Sequence, residues 1–159
     1  MWILWAREYL LCKDARKVTR MRLYLAAPLF TDAERKYNVF LCNILEENGY
    51  DVFLPQQEVS QYEGSHNPSR IFNADLAGLR SSDCVVAICD GSDVDSGTAW
   101  ECGYACSRGI PVIALRTDFR MFTNNERFNL MIEQSARKVV GNIWELLQTL
   151  RQLQSLVTQ

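Results

Sequence analysis

The chain predicts an α/β fold, a doubly wound three-layer sandwich around a five-stranded, mostly parallel sheet. Three observations carry that expectation. Short apolar runs alternate with amphipathic segments from residue 22 onward. The runs at 22–27, 83–89 and 110–115 are nearly continuous in apolar residues, as strands buried on both faces are. Glycine, proline or acidic residues mark the junctions between the runs.

The elements follow in order. Arg22 to Ala27 is a strand that ends at Pro28. Thr31-Asp-Ala-Glu34 has the form of a capping box, and Tyr37, Phe40, Leu41, Ile44 and Leu45 recur at helical spacing until Gly49 stops them. Tyr50 to Leu54 is the second strand, and Pro55-Gln56-Gln57 opens a polar loop that runs to Pro68. Asn67-Pro68 supplies an N-cap with proline at the first helical position, for a helix through Ile71, Asp75 and Leu79. Asp83 to Cys89 is strand three. An acidic loop, Asp90 to Asp95, leads into a helix that contains Glu101 and closes at Gly109. Ile110 to Leu115 is strand four. Residues 117–125 have a loop's composition, 128–132 a helical turn, and Lys138 to Val140 a short fifth strand. Ile143, Leu146, Leu147, Leu150, Leu153 and Val157 form one stripe of a final helix. This order suits a flavodoxin-like or Rossmann-like sheet, whose ligand crevice lies beyond the carboxyl ends of the strands.

Composition narrows the function classes. A chain of 159 residues with 48% hydrophobic and 23% charged side chains fits one domain with a core of its own. Residues 21–159 are expected to be that single domain. Residues 1–20 carry a net charge of +3 against −5 for the rest, and are expected to be an extension, frayed or added by a mis-called start. Their apolar run is too short to span a bilayer and has no secretory cleavage pattern. The net charge of −2 argues against a nucleic-acid surface. Six cysteines without a CxxC pair, and the single histidine His66, give no zinc-type ligand spacing. The cysteines are expected to be reduced and mostly in the core, which places the protein in a reducing, cytoplasmic setting. His66, in a polar loop, is expected to be exposed. No GxGxxG follows strand one, which argues against a dinucleotide-dependent oxidoreductase.

Glu101 is the residue that asks for an explanation. It stands among Ala99, Trp100, Cys102 and Gly103, where an unpartnered carboxylate is costly to desolvate. A carboxylate so placed can attack the anomeric carbon of a glycoside and form an ester that a second acceptor resolves with retention. A place in the first turn of the helix would supply positive potential to keep it ionised. Tyr24 can orient it by a phenolic hydrogen bond, and a carboxylic acid nearby must protonate the leaving group. Bland roles compete. Glu101 can be a surface glutamate complementing the helix dipole, Asp95 an N-cap or Asx-turn residue before Gly97, and Tyr24 simple core.

Taken together, Leu23-Tyr24-Leu25 with Phe30-Thr31-Asp32, Asn73-Ala-Asp75-Leu76, Asp95-x-Gly97-x-x-x-Glu101-x-Gly103-Tyr104-Ala105 and Asn129-Leu130-Met131 resemble the nucleoside 2-deoxyribosyltransferase family. The resemblance spans most of residues 22–132. It implies exchange of the base of a 2'-deoxynucleoside through a deoxyribosyl ester on Glu101; no cofactor or metal is expected. It further implies that Tyr24 positions the nucleophile, that Asp75 contacts the base and handles its proton, and that Asp95 contacts the sugar. Asn129 matches an asparagine donated by a neighbouring subunit, so a homo-oligomer with shared sites is implied. Gln56 and Gln57, whose amides can pair with a base edge, and Phe30 join Gly97 as expected substrate contacts.

Relatives that hydrolyse deoxynucleoside 5'-monophosphates need hydroxyls and arginine around the phosphate. This chain has Ala26-Ala27-Pro28-Leu29-Phe30 there, and Asn129 where they have serine, so a neutral 5'-hydroxyl is the better expectation. An N-hydrolase, with water as acceptor, and a non-catalytic nucleotide-sensing domain are the alternatives.

Overall fold

The computed structural model describes residues 20–60, 67–121, 123 and 125–157. The expectations for residues 1–19 and for His66 lie outside them. The elements are β1 (Arg22–Ala26), α1 (Asp32–Glu47), β2 (Asp51–Phe53), α2 (Pro55–Ser60), α3 (Pro68–Arg80), β3 (Cys84–Ile88), α4 (Ser96–Ser107), β4 (Val112–Leu115), α5 (Leu130–Ser135), β5 (Lys138–Val140) and α6 (Ile143–Val157). The sheet runs β2-β1-β3-β4-β5, and all four strand pairs are parallel. The strand order therefore reverses between β1 and β3, and the crevice of an open α/β sheet belongs at that switch point.

The local signals act as written in the sequence. Thr31 and Glu34 close a reciprocal capping box on α1. Asn67 caps α3 with Pro68 at its first position. Gly49 and Gly109 adopt left-handed backbone (φ 91° and 70°) just beyond α1 and α4, a conformation that costs other residues a Cβ clash.

One segment departs from the expectation. Residues 55–60 form the helix α2 instead of a loop. Its polar residues carry no apolar period, but Pro55 is preset for a first helical turn and Gln56 is gripped from α1. The Asn38 amide donates to Pro28 O (2.9 Å) and to Gln56 Oε1 (3.0 Å), and Gln56 Nε2 donates to Arg35 O (3.0 Å). Asn38 is itself buried, so this amide pair satisfies polar groups that would otherwise be stranded in the core.

Alternating strand residues feed two cores, one on each face of the sheet. Leu23, Leu25, Val86, Ile88, Ile113 and Leu115 meet Leu41 and Leu45 of α1 and Leu146 and Leu150 of α6. On the other face, Tyr24, Ala26, Val85, Ala87, Cys89 and Ala114 meet Leu79 of α3, Cys102 and Ala105 of α4 and Ile132 of α5. Four described cysteines are buried, whereas Cys106 is exposed although it shares a helix with Cys102. All five are free thiols.

Candidate active site

On the second face, three elements bring Tyr24, Asp75 and Glu101 together. Tyr24 lies in the middle of β1 and is fully buried. Its hydroxyl donates to Glu101 Oε1 at 2.5 Å, joining the sheet to α4 across 77 residues of sequence. Burial and the neighbouring carboxylates of Glu101 and Asp75 push the phenol far above its ordinary range, so it remains a donor at any working pH. Glu101 is pushed up to about 7, first by desolvation and then by the charges of Asp75 and Asp95, while the Tyr24 hydrogen bond pulls it down. Asp75, on α3, is thus close enough to act electrostatically on both partners.

The helix-dipole expectation needs correction. Glu101 is the sixth residue of α4, in its second turn, whereas the dipole's influence falls off within the first. Its ionised form leans on the Tyr24 phenol instead. The site of α4 that does face the orphan N–H groups is held by Asp95, whose carboxylate accepts from Thr98 N at 3.1 Å as the N-cap. That structural role coexists with a place near Glu101, on which the Asp95 charge also bears. A Cβ on Gly97 would sit 3.1 Å from Asp95 Oδ2, so the glycine leaves the cap carboxylate its room.

The other expected contacts divide. Phe30 is 71% exposed in the loop after β1. That loop is anchored by Arg35, which donates to Leu29 O and Phe30 O at 3.0 and 2.8 Å. Gln56 has both ends of its amide hydrogen-bonded to α1, Oε1 to Asn38 and Nε2 to Arg35 O. Gln57 is exposed at the same strand end, its N–H donating to Leu54 O. Asn129 caps α5 by accepting from Met131 N at 3.1 Å, beside the exposed Leu130 and Met131. Among the described residues no group of three or more His, Cys, Asp or Glu side chains is placed to hold a metal ion.

Three features lay outside the sequence reading. Phe53 stacks on Tyr24, with ring centroids 5.3 Å apart and planes 12° apart. Arg116 is buried at the end of β4, where it donates to Cys89 O, to Gly91 O (3.0 Å) and to Arg120 O (2.9 Å) and lies 5.7 Å over the Phe128 ring. Asp90 answers it by accepting from Thr117 N (2.6 Å) and Asp118 N (2.8 Å), so the loops after β3 and β4 are clasped in both directions. A charged residue closing an apolar strand, Arg116 after Leu115, was the visible sign of that clasp.

Fold and site define an open parallel α/β protein with two carboxyl groups and a phenol gathered at the switch point of its sheet. The comparisons make the class specific. The model of the nucleoside 2-deoxyribosyltransferase family matches residues 23–139, most of the chain, and the chain belongs to that family. No curated protein sequence matches it. Among solved structures, a conserved protein from Enterococcus faecalis V583 is 29% identical, with a TM-score of 0.73 over 84% of this chain and 99% of that one. The 2-deoxyribosyltransferase of Bacillus psychrosaccharolyticus is 25% identical, with a TM-score of 0.68 over 79% of this chain and 90% of that one. A CMP N-glycosidase of Clostridium botulinum is 22% identical, with a TM-score of 0.54 over 82% and 97%, and shares the fold.

Proposed function

We propose that the protein transfers the 2-deoxyribosyl group of a 2'-deoxynucleoside to an acceptor purine or pyrimidine base, through an ester on Glu101 and with net retention. The observation that carries this reading is the partly buried Tyr24–Glu101 hydrogen bond, within electrostatic reach of a second carboxyl group. In the first step Glu101 attacks C1 of the sugar, the C1–N bond breaks, and Asp75 gives a proton to the departing base. In the second, a nitrogen of the acceptor base attacks C1, the ester C1–O bond breaks, and the acceptor's proton returns to Asp75. Tyr24 occupies one oxygen of Glu101 and leaves attack to the other. The attack requires the ionised carboxylate, so the rate rises as pH passes through about 7.

Asp95 and Phe30 complete the sugar and base contacts, with Gly97 keeping the Asp95 carboxylate in place, and Gln57 is the base-edge amide. Asn129 reaches the 5'-hydroxyl of a neighbouring subunit's substrate in a homo-oligomer. The exposed Leu130 and Met131 beside it support an interface at that point. No cofactor takes part. The protein works in nucleoside salvage in the cytoplasm, a setting that five free thiols suit.

The second reading is an N-hydrolase, favoured by the fold shared with the Clostridium botulinum N-glycosidase. The test is to mix a deoxynucleoside with a free base and follow both exchange and free-sugar release, with wild type and with Glu101→Gln. Exchange that falls at least 10³-fold in the variant is expected. Sugar release independent of the acceptor base would favour the hydrolase, and undiminished exchange in Glu101→Gln would refute both.

A further inference from the structure

We infer that Gly78 is a positioning residue for this reaction: by lacking a side chain it lets Phe53 lie flat between α3 and Tyr24, and so sets where the Tyr24 hydroxyl meets Glu101. The inference rests on the reading above for its catalytic consequence and on geometry for the rest. Gly78 is buried in the last turn of α3, two residues before Arg80 ends it, where glycine is still a poorer helix former than alanine. Space explains the choice. A Cβ at this position would lie 2.7, 2.8 and 2.8 Å from Cε1, Cδ1 and Cζ of Phe53, well inside van der Waals contact.

The ring has little freedom to yield. Phe53 is the register partner of Tyr24 in the parallel β1–β2 pair, and its ring is stacked on the Tyr24 ring. A methyl group on Gly78 therefore has two outlets. It drives Phe53 against Tyr24, or it lifts α3, which carries Asp75 three residues earlier, away from the sheet. Either outlet changes the spacing of the three groups that the reaction uses. The carbonyl of Gly78 also accepts from the Ser81 and Ser82 hydroxyls, but any residue supplies that carbonyl, so it does not account for the glycine.

The test uses Gly78→Ala, Phe53→Leu and the double variant, in two readouts. In steady-state exchange, Gly78→Ala is expected to lower kcat on the order of 10- to 100-fold, as a misplacement of up to an ångström does, with the donor KM within about threefold. Phe53→Leu is expected to lose about three- to tenfold in kcat by freeing the Tyr24 ring, and it keeps the glycine should Gly78→Ala not fold. The double variant is expected to return to the Phe53→Leu level, because leucine leaves room for the methyl. The second readout, the NMR titration of the Glu101 carboxyl in the absence of substrate, is independent of whether the protein is a transferase. Loosening the phenol is expected to move the midpoint upward in Gly78→Ala and in Phe53→Leu. A Gly78→Ala or Phe53→Leu midpoint at or below that of wild type, or a double variant as impaired as Gly78→Ala, would overturn the inference. Wild type without exchange would overturn the transferase reading alone.

Discussion

The two faces of the sheet come from the same strands and are built for different ends. Toward α1 and α6, β1, β3 and β4 present Leu23, Leu25, Val86, Ile88, Ile113 and Leu115, large side chains that interlock with leucines. Toward α3 and α4 the same strands present Ala26, Ala87 and Ala114 beside Tyr24, and the helix opposite sends Glu101 inward. The first face removes apolar surface from water and holds the fold. The second gives up part of that gain, holding a carboxyl group where its charged form is disfavoured. A protein selected for stability alone would not be built so, and the contrast separates the residues that hold the fold from those proposed to act.

Substitutions on the two faces are expected to fail differently. The largest effect is expected from Leu25→Ala on the packed face, a loss of about 2–5 kcal/mol in denaturant unfolding, with activity per folded molecule retained. Tyr24→Phe, on the other face, is expected to cost roughly 10- to 100-fold in kcat with little change in stability. Without the phenol that pulls the carboxyl pKa down, the pH–rate limb should also move above its wild-type position near 7. An unmoved limb would show that Tyr24 does not tune Glu101.

The smallest effect has the opposite sign. Glu101's folded pKa, about 7, lies above its ordinary value of 4.5, so the group contributes most at low pH and its contribution is lost as pH rises from about 4.5 through 7. Glu101→Gln stays neutral, so it is expected to be more stable than wild type at pH 8, by on the order of 2 kcal/mol in thermal or denaturant unfolding. The difference should shrink toward nothing near pH 4. A variant less stable than wild type at pH 8 would place the carboxylate in solvent or beside a cation.

The element order was legible because its punctuation is chemical: Pro28, the Thr31–Glu34 box, Asn67-Pro68, Gly49 and Gly109 each act through one local geometry that sequence displays. Helix α2 was not, since a six-residue polar turn has no period to detect and depends on Asn38 from α1. The acidic residue of the site was legible as a charge among apolar neighbours. What surrounds it was not. The commitment of Gln56 to the scaffold, the Phe53–Tyr24 stack and the Arg116 clasp are long-range contacts, between residues that carry no mark of each other in one sequence.

The central claim is that Glu101 forms a bond to the sugar. Intact-mass measurement after mixing the protein with a 2'-deoxynucleoside, without acceptor base, followed by mapping of the peptide that holds residue 101, tests it most directly. The account predicts an added 2-deoxyribosyl mass on Glu101 that disappears when a free base is supplied and never forms in Glu101→Gln. An adduct on another residue, or turnover with no adduct trapped in wild type on any timescale down to a single turnover, would contradict it.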